Sequence, residues 1–481
     1  MKLLTLLQAL QPDEYKDFEK FLQSPFFKDS EQYRTFFRYL YKQHPMFDLE
    51  SAGLRDAYRN CFGAQSLTDT KLHNLGSGLS KQLEQYLVVR MALPAKEGPK
   101  GDFQDQLLVK SLGLRNMGDY FRKEAQELID AIAARPVIET DDYLAIQQLH
   151  YHVYFNPDTT KSQGASILQA AADHLDLYYC LAKLRYAAEM KTGERIYNDS
   201  YEQPLLAAVL ERCQAPGMID KHPLLRVYYQ LVNLYLREVD EPGFRELKRT
   251  FTTFAPTFSK EDQSGLLRHL INCGIYLHAR DSNVEGELLE LYKLALETGQ
   301  LIDGNRMTFS TFINIANLAI LRQEFDWVEG FITQYSSYLE DIKRKPVVAL
   351  AMAGLYHAQG RLDAAQACLR DEKIYQIPLF EFLAKDQLLK ILFDRYVGQG
   401  EDYEFLIGYI RSYVRFVRTK ALPADKLAAR LNWIRMVRRM AILKFELVTV
   451  PESKKVVLRR TLARLIPALH RKWLQAKIDA L

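Results

Sequence analysis

The chain has 481 residues, 48% of them apolar and 26% charged, with a formal net charge of +4. This composition excludes a disordered chain, and the length exceeds what one small core can organise. No run approaches the roughly 18 apolar residues that a membrane-spanning helix needs, so we expect no membrane insertion. The apolar stretch 3–10 is not followed by a signal-peptide cleavage site, and the five cysteines form no CxxC motif. We therefore expect a cytoplasmic protein.

Residues 1–92 predict a helical module that precedes the rest of the chain. Ser24-Pro25 and His44-Pro45 end short apolar-periodic segments, and Gly63 ends another. Proline and glycine at these positions interrupt helices and so divide the region into separate elements. Residues 93–101 contain two prolines, two glycines and three charges. We predict that they form a linker.

Residues 102–420 predict a long series of amphipathic helices. Prolines recur where such helices would start, at Pro204, Pro223, Pro346 and Pro378, since a first-turn N–H has no partner within the helix. Comparable helix positions recur at steps of 41, 44, 36 and 40 residues, and they are occupied by Tyr235, Tyr276, Ile320, Tyr356 and Tyr396. This irregular period is typical of stacked helix pairs.

The most regular pair is predicted in residues 349–369. Ala353 and Tyr356 share a helical face, and Gly360 stands where a helix end favours a left-handed residue. Ala365 gives the second helix a small side chain that allows close packing. Tyr356, Gly360 and Ala365 match the spacing of a tetratricopeptide repeat (TPR), with Ala353 in place of its small glycine. The resemblance covers one good repeat and several degraded ones.

The two ends of the chain carry a second resemblance. The opening LQPDEYKDFEKFLQSPFFKDSEQYRTFFRYL and the ending RKWLQAKIDAL resemble those of uncharacterised bacterial proteins of similar length. That family is expected to consist of TPR-like helical-repeat proteins. The resemblance implies a fold and brings no activity and no site residue. We therefore predict an all-α chain, a right-handed α-solenoid of stacked antiparallel helix pairs (TPR-like) in residues 102–420, preceded by the helical module.

Signatures of enzymes are absent from the sequence. It contains no GxxxxGK[ST], HExxH, GxSxG or GxGxxG motif. His269 and Cys273 are four residues apart and would share a helical face, but no third and fourth metal ligand accompany them. Buried or groove-lining side chains are the favoured interpretation of this pair. We expect no catalytic residues, no cofactor and no metal site.

The C-terminal residues 421–481 predict basic capping helices. Residues 411–481 hold 18 Lys/Arg against 4 Asp/Glu, a net of +14, whereas the rest of the chain has a net of −10. The candidate contact face consists of Arg415, Arg418, Arg435, Arg438, Arg439, Arg459 and Arg460. Such a face suits nucleic acid phosphates, an acidic protein or an anionic membrane surface. The favoured interpretation is a solvated end of the array, or a face that docks on a second copy.

The leading hypothesis is a non-enzymatic scaffold that binds an unknown protein partner on the concave face of the solenoid. The alternative is a nucleic-acid-associated or regulatory protein that uses the basic C-terminal helices. Both hypotheses allow the chain to form a homo-oligomer. The sequence does not identify the partner.

Overall fold

The computed structural model describes residues 2–11, 13–27, 30–42, 51–64, 68–92, 103–115, 117–157, 161–197, 199–280, 282–400, 403–447 and 449–481. In these residues the fold is all-α, with no β-strand. The predicted linker 93–101 lies outside the described residues. The helices are α1 (Lys2–Gln8), α2 (Glu14–Phe21), α3 (Glu31–Tyr41), α4 (Ser51–Phe62), α5 (Asp69–Ala92), α6 (Phe103–Leu114), α7 (Gly118–Ala133), α8 (Thr140–Tyr154), α9 (Lys161–Tyr197), α10 (Leu206–Cys213), α11 (Met218–Lys221), α12 (Pro223–Leu236), α13 (Glu241–Phe254), α14 (Lys260–His278), α15 (Glu285–Glu297), α16 (Phe309–Leu321), α17 (Phe325–Tyr335), α18 (Asp341–Ala358), α19 (Leu362–Cys368), α20 (Pro378–Gln399), α21 (Tyr403–Thr419), α22 (Ala424–Glu446), α23 (Glu452–Arg464) and α24 (Arg471–Ala480).

The chain divides into two compact units, Met1–Asp176 and Leu177–Leu481. The boundary falls within α9, whereas the sequence predicted boundaries at residues 92, 101 and 420. This division does not test the predicted domain boundaries, which remain predictions. None of the described helices combines the length and the apolar character needed to cross a membrane.

The described residues of the first unit form two apolar cores. One joins the helices α1 to α5, where Phe18, Phe36 and Leu79 are fully buried. Aromatic rings dominate it, and Phe18 meets Phe37 edge-on with ring centroids 4.9 Å apart. The other core joins α6, α7 and α8 around Phe121. Burial of these stripes supplies most of the stability of such helices, because short helices are marginal in water.

In the second unit, each helix packs most extensively against helices that are one or two elements away along the chain. Helices α16, α18, α20, α22 and α24 form a series in which each packs on the next. Helices α17, α19 and α21 each pack on both neighbours in the chain. The last core continues across residue 420 without a break, from Leu389 in α20 to Ile478 in α24. Trp433 is fully buried in it.

Prolines, side-chain caps and glycines set several helix ends in the second unit. Pro223 and Pro378 are the first residues of α12 and α20, as the sequence predicted. Pro346 instead lies inside α18, which begins five residues earlier at Asp341. The Ser259 hydroxyl accepts a hydrogen bond from the Asp262 backbone N–H at the start of α14. Between α18 and α19, Gly360 has φ 76°, which a residue without Cβ adopts easily.

Candidate functional site

The C-terminal helix α24 contacts a surface built from distant parts of the second unit. The ammonium group of Lys472 donates a hydrogen bond to the Ser282 carbonyl oxygen over 3.1 Å and pairs with the Glu285 carboxylate. Trp473 meets Phe393 edge-on, with ring centroids 5.6 Å apart. Lys477 pairs with Asp394 over 2.7 Å. We call Ser282, Glu285, Phe393 and Asp394 the α24 contact surface.

Glu285 is the most buried carboxylate of the α24 contact surface, and its side chain is only 6% exposed. Besides Lys472, it has His278 as a neighbour, with Nδ1 3.2 Å from the carboxylate. Burial alone would raise the pKa of Glu285, but the Lys472 hydrogen bond, aided by a backbone N–H, holds it below the ordinary value. Glu285 is therefore an anion that is paired with a cation from α24.

The Asp394 carboxylate joins three helices. It accepts a hydrogen bond from His357 Nε2 over 2.8 Å and pairs with Lys477. The other ring nitrogen of His357, Nδ1, accepts from the Gln387 side-chain amide over 2.9 Å. This assignment places the neutral-ring proton on Nε2. Both ring nitrogens then have hydrogen-bond partners, and His357 holds the Asp394 carboxylate in place.

A cavity of about 320 Å³ opens beside this group. It lies where α18 and α20 end, and its lining includes His357, Gly360, Phe393, Asp394 and Lys477. The C-terminal end of a helix carries partial negative charge on its free carbonyl groups. Two helix ends and one carboxylate therefore favour a cationic group, and Lys477 supplies one from α24.

A second cluster of charges lies under the start of α24. Asp386 is 3% exposed and accepts hydrogen bonds from Arg430, with Nη2 2.8 Å and Nε 3.2 Å from its oxygens. The Tyr413 hydroxyl donates to the same carboxylate. Burial would raise the pKa of Asp386, but the hydrogen-bonded Arg430 guanidinium holds it below its ordinary value. We call Asp386, Tyr413, Arg430, Lys390 and His470 the Asp386 cluster.

Lys390 and His470 complete the Asp386 cluster, with Lys390 Nζ 3.2 Å from His470 Nδ1. Burial lowers the pKa of Lys390 to about 8, against the opposing attraction of Asp386 and Asp394. Burial, together with the Lys390 charge, lowers the pKa of His470 to about 4. At neutral pH His470 is therefore uncharged and accepts a hydrogen bond from the Lys390 ammonium group.

The α24 contacts leave polar atoms unpaired. His470 Nε2 is 3.8 Å from the nearest Asp386 oxygen, which exceeds hydrogen-bond distance. Within the described residues, His470 Nε2 and the ring nitrogens of Trp433 and Trp473 are buried without a hydrogen-bond partner. Unpaired buried polar atoms are unfavourable, because they have lost water and gained nothing in return.

The four predicted repeat-packing residues lie next to this region. Ala353 and Ala365 are fully buried in α18 and α19. Tyr356 is half-buried, and the Arg361 guanidinium lies 4.3 Å from its ring centroid. Gly360 lines the cavity, and a Cβ placed there would meet nothing within 4 Å. Its positive φ, and not lack of space, is what favours glycine there.

The predicted basic contact face divides into paired and unpaired arginines. Arg459 pairs with Glu452 and Asp479, Arg435 donates to Asn432, and Arg439 Nη1 lies 3.4 Å from Thr461 Oγ1. The remaining four are exposed and form no ion pair with any described residue: Arg415, Arg418, Arg438 and Arg460. The face thus presents free cations on α21, α22 and α23.

His269 and Cys273, the pair considered for a metal, belong to a buried polar network. His269 Nδ1 lies 3.1 Å from the Thr192 hydroxyl and 3.3 Å from the Tyr235 hydroxyl. Burial raises the pKa of Cys273 to about 11, so its thiol is protonated at neutral pH. No described group of three or more His, Cys, Asp or Glu side chains has the arrangement of a metal site.

Sequence reasoning missed the α24 contact surface because its partners are far apart in the chain. Lys472 and Glu285 are separated by 187 residues. One signal was available: Asp386, Lys390 and Asp394 recur every four residues and so share one face of α20. No protein-family model, curated protein or solved structure matches this sequence.

Proposed function

We propose that this chain is a non-enzymatic helical-repeat scaffold that binds a partner protein. The observation that carries the proposal is the packing order of the second unit, in which alternate helices from α16 to α24 pack in series. Helical arrays of this kind expose long binding surfaces.

The finer architecture that we propose is a right-handed, TPR-like solenoid of antiparallel helix pairs. Its register rests on close packing at Ala365. Ala365→Leu should lower the free energy of unfolding by about 1–3 kcal/mol through overpacking. Ala367→Leu, at an exposed position of the same helix, is the matched control. Equal stability of the two variants in urea unfolding would contradict the register.

The scaffold proposal is tested by purification of the tagged full-length chain under native conditions, with and without nuclease. We expect a defined protein partner that is retained after nuclease treatment and at stoichiometric ratio. Isothermal titration with the purified partner then measures the affinity. Recovery of no stoichiometric protein, under conditions where the chain is folded, would contradict the proposal.

A second candidate function is nucleic acid binding by the basic C-terminal helices. Four exposed arginines without ion pairs among the described residues favour it: Arg415, Arg418, Arg438 and Arg460. Phosphate contacts predict affinity that falls steeply with salt. The combined variant Arg435→Gln, Arg438→Gln, Arg439→Gln should then lose binding and flatten the salt dependence. The control neutralises three exposed arginines elsewhere, Arg237, Arg306 and Arg370, and should bind as the parent does.

A further inference from the structure

The end of α23 combines exposed arginines with exposed apolar side chains. Ile466 follows the last residue of α23 by two positions and is 79% exposed. Val457, on the outer side of the same helix, is 45% exposed. Arg460 and Arg464 lie between these two residues in the sequence, are exposed, and form no ion pair with any described residue. An apolar tip thus follows directly on unpaired cations.

Helix α22 adds two further arginines to the same part of the surface. The Asn432 side-chain amide donates a hydrogen bond to the Pro467 carbonyl oxygen over 2.9 Å, and Arg435 donates to the Asn432 side-chain oxygen over 3.1 Å. Arg439 Nη1 lies 3.4 Å from Thr461 Oγ1. These contacts place the two arginines of α22 beside the stretch of chain that ends at Pro467. We call Arg435, Arg439, Arg460, Arg464 and Ile466 the Ile466 surface.

The Ile466 surface comes from two stretches of chain that contain no acidic residue. Residues 426–445 hold six Lys/Arg, residues 453–478 hold eight, and neither stretch contains Asp or Glu. The hydrogen bonds of Arg435 and Arg439 go to neutral groups, which leave the charge of both guanidinium groups in place. The surface therefore carries concentrated positive charge, and it attracts an anionic partner.

The apolar tip distinguishes between the anionic partners. The backbone of nucleic acid offers phosphates to the arginines but no apolar surface to an isoleucine. An anionic lipid bilayer offers both, because its headgroups carry phosphates and the acyl chains below them accept apolar side chains. Ile342 in α18 is just as exposed, at 77%, but it follows Asp341 in the chain and has no comparable set of arginines.

We propose that the Ile466 surface binds the face of a phospholipid bilayer that carries anionic headgroups. The arginines pair with lipid phosphates, and Ile466 inserts at the boundary between the headgroups and the acyl chains. Such binding is peripheral and requires no membrane-spanning helix. It goes beyond the scaffold proposal, and it uses the region that the second candidate function assigns to nucleic acid.

Sedimentation of the full chain with lipid vesicles tests the inference. We expect the parent to co-sediment with vesicles of phosphatidylcholine and phosphatidylglycerol in equal parts, and not with vesicles of phosphatidylcholine alone. Ile466→Ser should weaken binding to the anionic vesicles about tenfold, because the inserted apolar side chain is lost. Ile342→Ser changes the same residue type at matching exposure, and this control should bind as the parent does.

The contribution of charge is measured in the same assay. Arg460→Gln, Arg464→Gln should weaken binding to the anionic vesicles at least about tenfold, since each basic residue near an anionic membrane adds attraction. The control Arg237→Gln, Arg370→Gln removes the same charge at exposed positions elsewhere in the unit and should bind as the parent does. Circular dichroism and thermal unfolding establish that each variant is folded.

A tryptophan placed at the tip reports insertion directly. Ile466→Trp should retain vesicle binding, because tryptophan favours the interface between membrane and water. Its added fluorescence should be quenched by lipids that carry bromine on their acyl chains. Ile342→Trp should show no quenching beyond that of the parent.

Equal vesicle binding by Ile466→Ser and Ile342→Ser, or no binding of the parent to anionic vesicles, would overturn the inference. Binding to a synthetic DNA duplex or single strand without binding to vesicles would also overturn it, and would favour the second candidate function. The scaffold proposal fails separately, when the tagged chain recovers no stoichiometric protein, whatever the vesicles show.

Discussion

Two of the buried carboxylates in the second unit, Asp262 and Asp386, have similar hydrogen-bond partners but lie at different places along their helices. Asp262 is 2% exposed, accepts from the Tyr228 hydroxyl over 3.1 Å and lies 3.5 Å from Arg185 Nε. Asp386 is 3% exposed and has Tyr413 and Arg430 in the same roles. Each group is thus an aspartate, a tyrosine and an arginine brought together from separate helices.

The two groups differ in their place along the helix. Asp262 lies in the first turn of α14, where the helix dipole favours a negative charge, and the Ser259 hydroxyl donates to it over 3.0 Å. Asp386 lies in the middle of α20, where no free backbone N–H faces it. Its charge is balanced by side chains alone, those of Arg430 and Tyr413, which lie on α22 and α21. Asp262 is thus stabilised as part of a helix start, whereas Asp386 joins the middle of α20 to α21 and α22.

The largest expected effect is that of removing the carboxylate of Asp386. In Asp386→Ala, the largely buried Arg430 loses its only ion-pair partner among the described residues. Because an unpaired buried charge is costly, the free energy of unfolding should fall by about 3–5 kcal/mol. Asp262→Ala should lower it by about 1–3 kcal/mol, because Arg185 still pairs with Glu261 over 2.9 Å. All three tryptophans lie in the second unit, so urea unfolding followed by tryptophan fluorescence measures it. Equal losses would remove the distinction between the two groups.

Replacing the two tyrosines by phenylalanine should have smaller effects, because each substitution removes only one hydroxyl. Tyr413→Phe should lower the free energy of unfolding by about 1.5–3 kcal/mol, the range for a hydrogen bond to a charged group. Tyr228→Phe should lower it by roughly half as much, because the Ser259 hydroxyl and the helix start still stabilise Asp262. Burial raises the pKa of both tyrosines, with the neighbouring aspartate adding to the rise. A larger loss at Tyr228 would show that the helix start contributes little.

The sequence predicted individual helices far better than it predicted contacts between them. The capping helices predicted in residues 421–481 include α22, Ala424–Glu446, because its apolar residues recur every three or four positions. The sequence also predicted the left-handed residue Gly360 at a helix end, because a helix end is determined by neighbouring residues. The pairs Asp386–Arg430 and Lys472–Glu285 join residues 44 and 187 positions apart. No local period encodes such pairs, so the sequence did not predict them.

The Asp386 cluster contains a lysine, Lys390, whereas the Asp262 group contains none. The contributions of the two groups to stability should therefore depend differently on pH. The pKa of Lys390 is about 8 in the folded chain and 10.5 in its ordinary state. Between these values the unfolded chain binds more protons, so this residue's contribution to stability rises with pH from about 8 to 10.5. Lys390→Met removes that contribution. The parent should therefore gain roughly 1–2 kcal/mol relative to the variant between pH 7.5 and 9.5 in urea unfolding.

A stability difference between parent and Lys390→Met that stays constant over this pH range would contradict the assignment. Such a result would mean that the ammonium group is as well solvated in the folded chain as in the unfolded one. The Asp386 cluster would then differ from the Asp262 group only in its position along the helix.

The smallest expected effect tests the support that is unique to Asp262. Ser259→Ala removes the N-cap of α14 and also the hydroxyl that donates to the Asp262 carboxylate. Thr308→Ala removes the N-cap of α16, where the hydroxyl accepts from the Thr311 N–H and no carboxylate is involved. A cap alone contributes about 1 kcal/mol, so Ser259→Ala should exceed Thr308→Ala by roughly 0.5–1 kcal/mol in thermal or urea unfolding. If the two losses are equal, the serine acts on the backbone only, and the Asp262 charge is stabilised by Tyr228, Arg185 and the helix start without it.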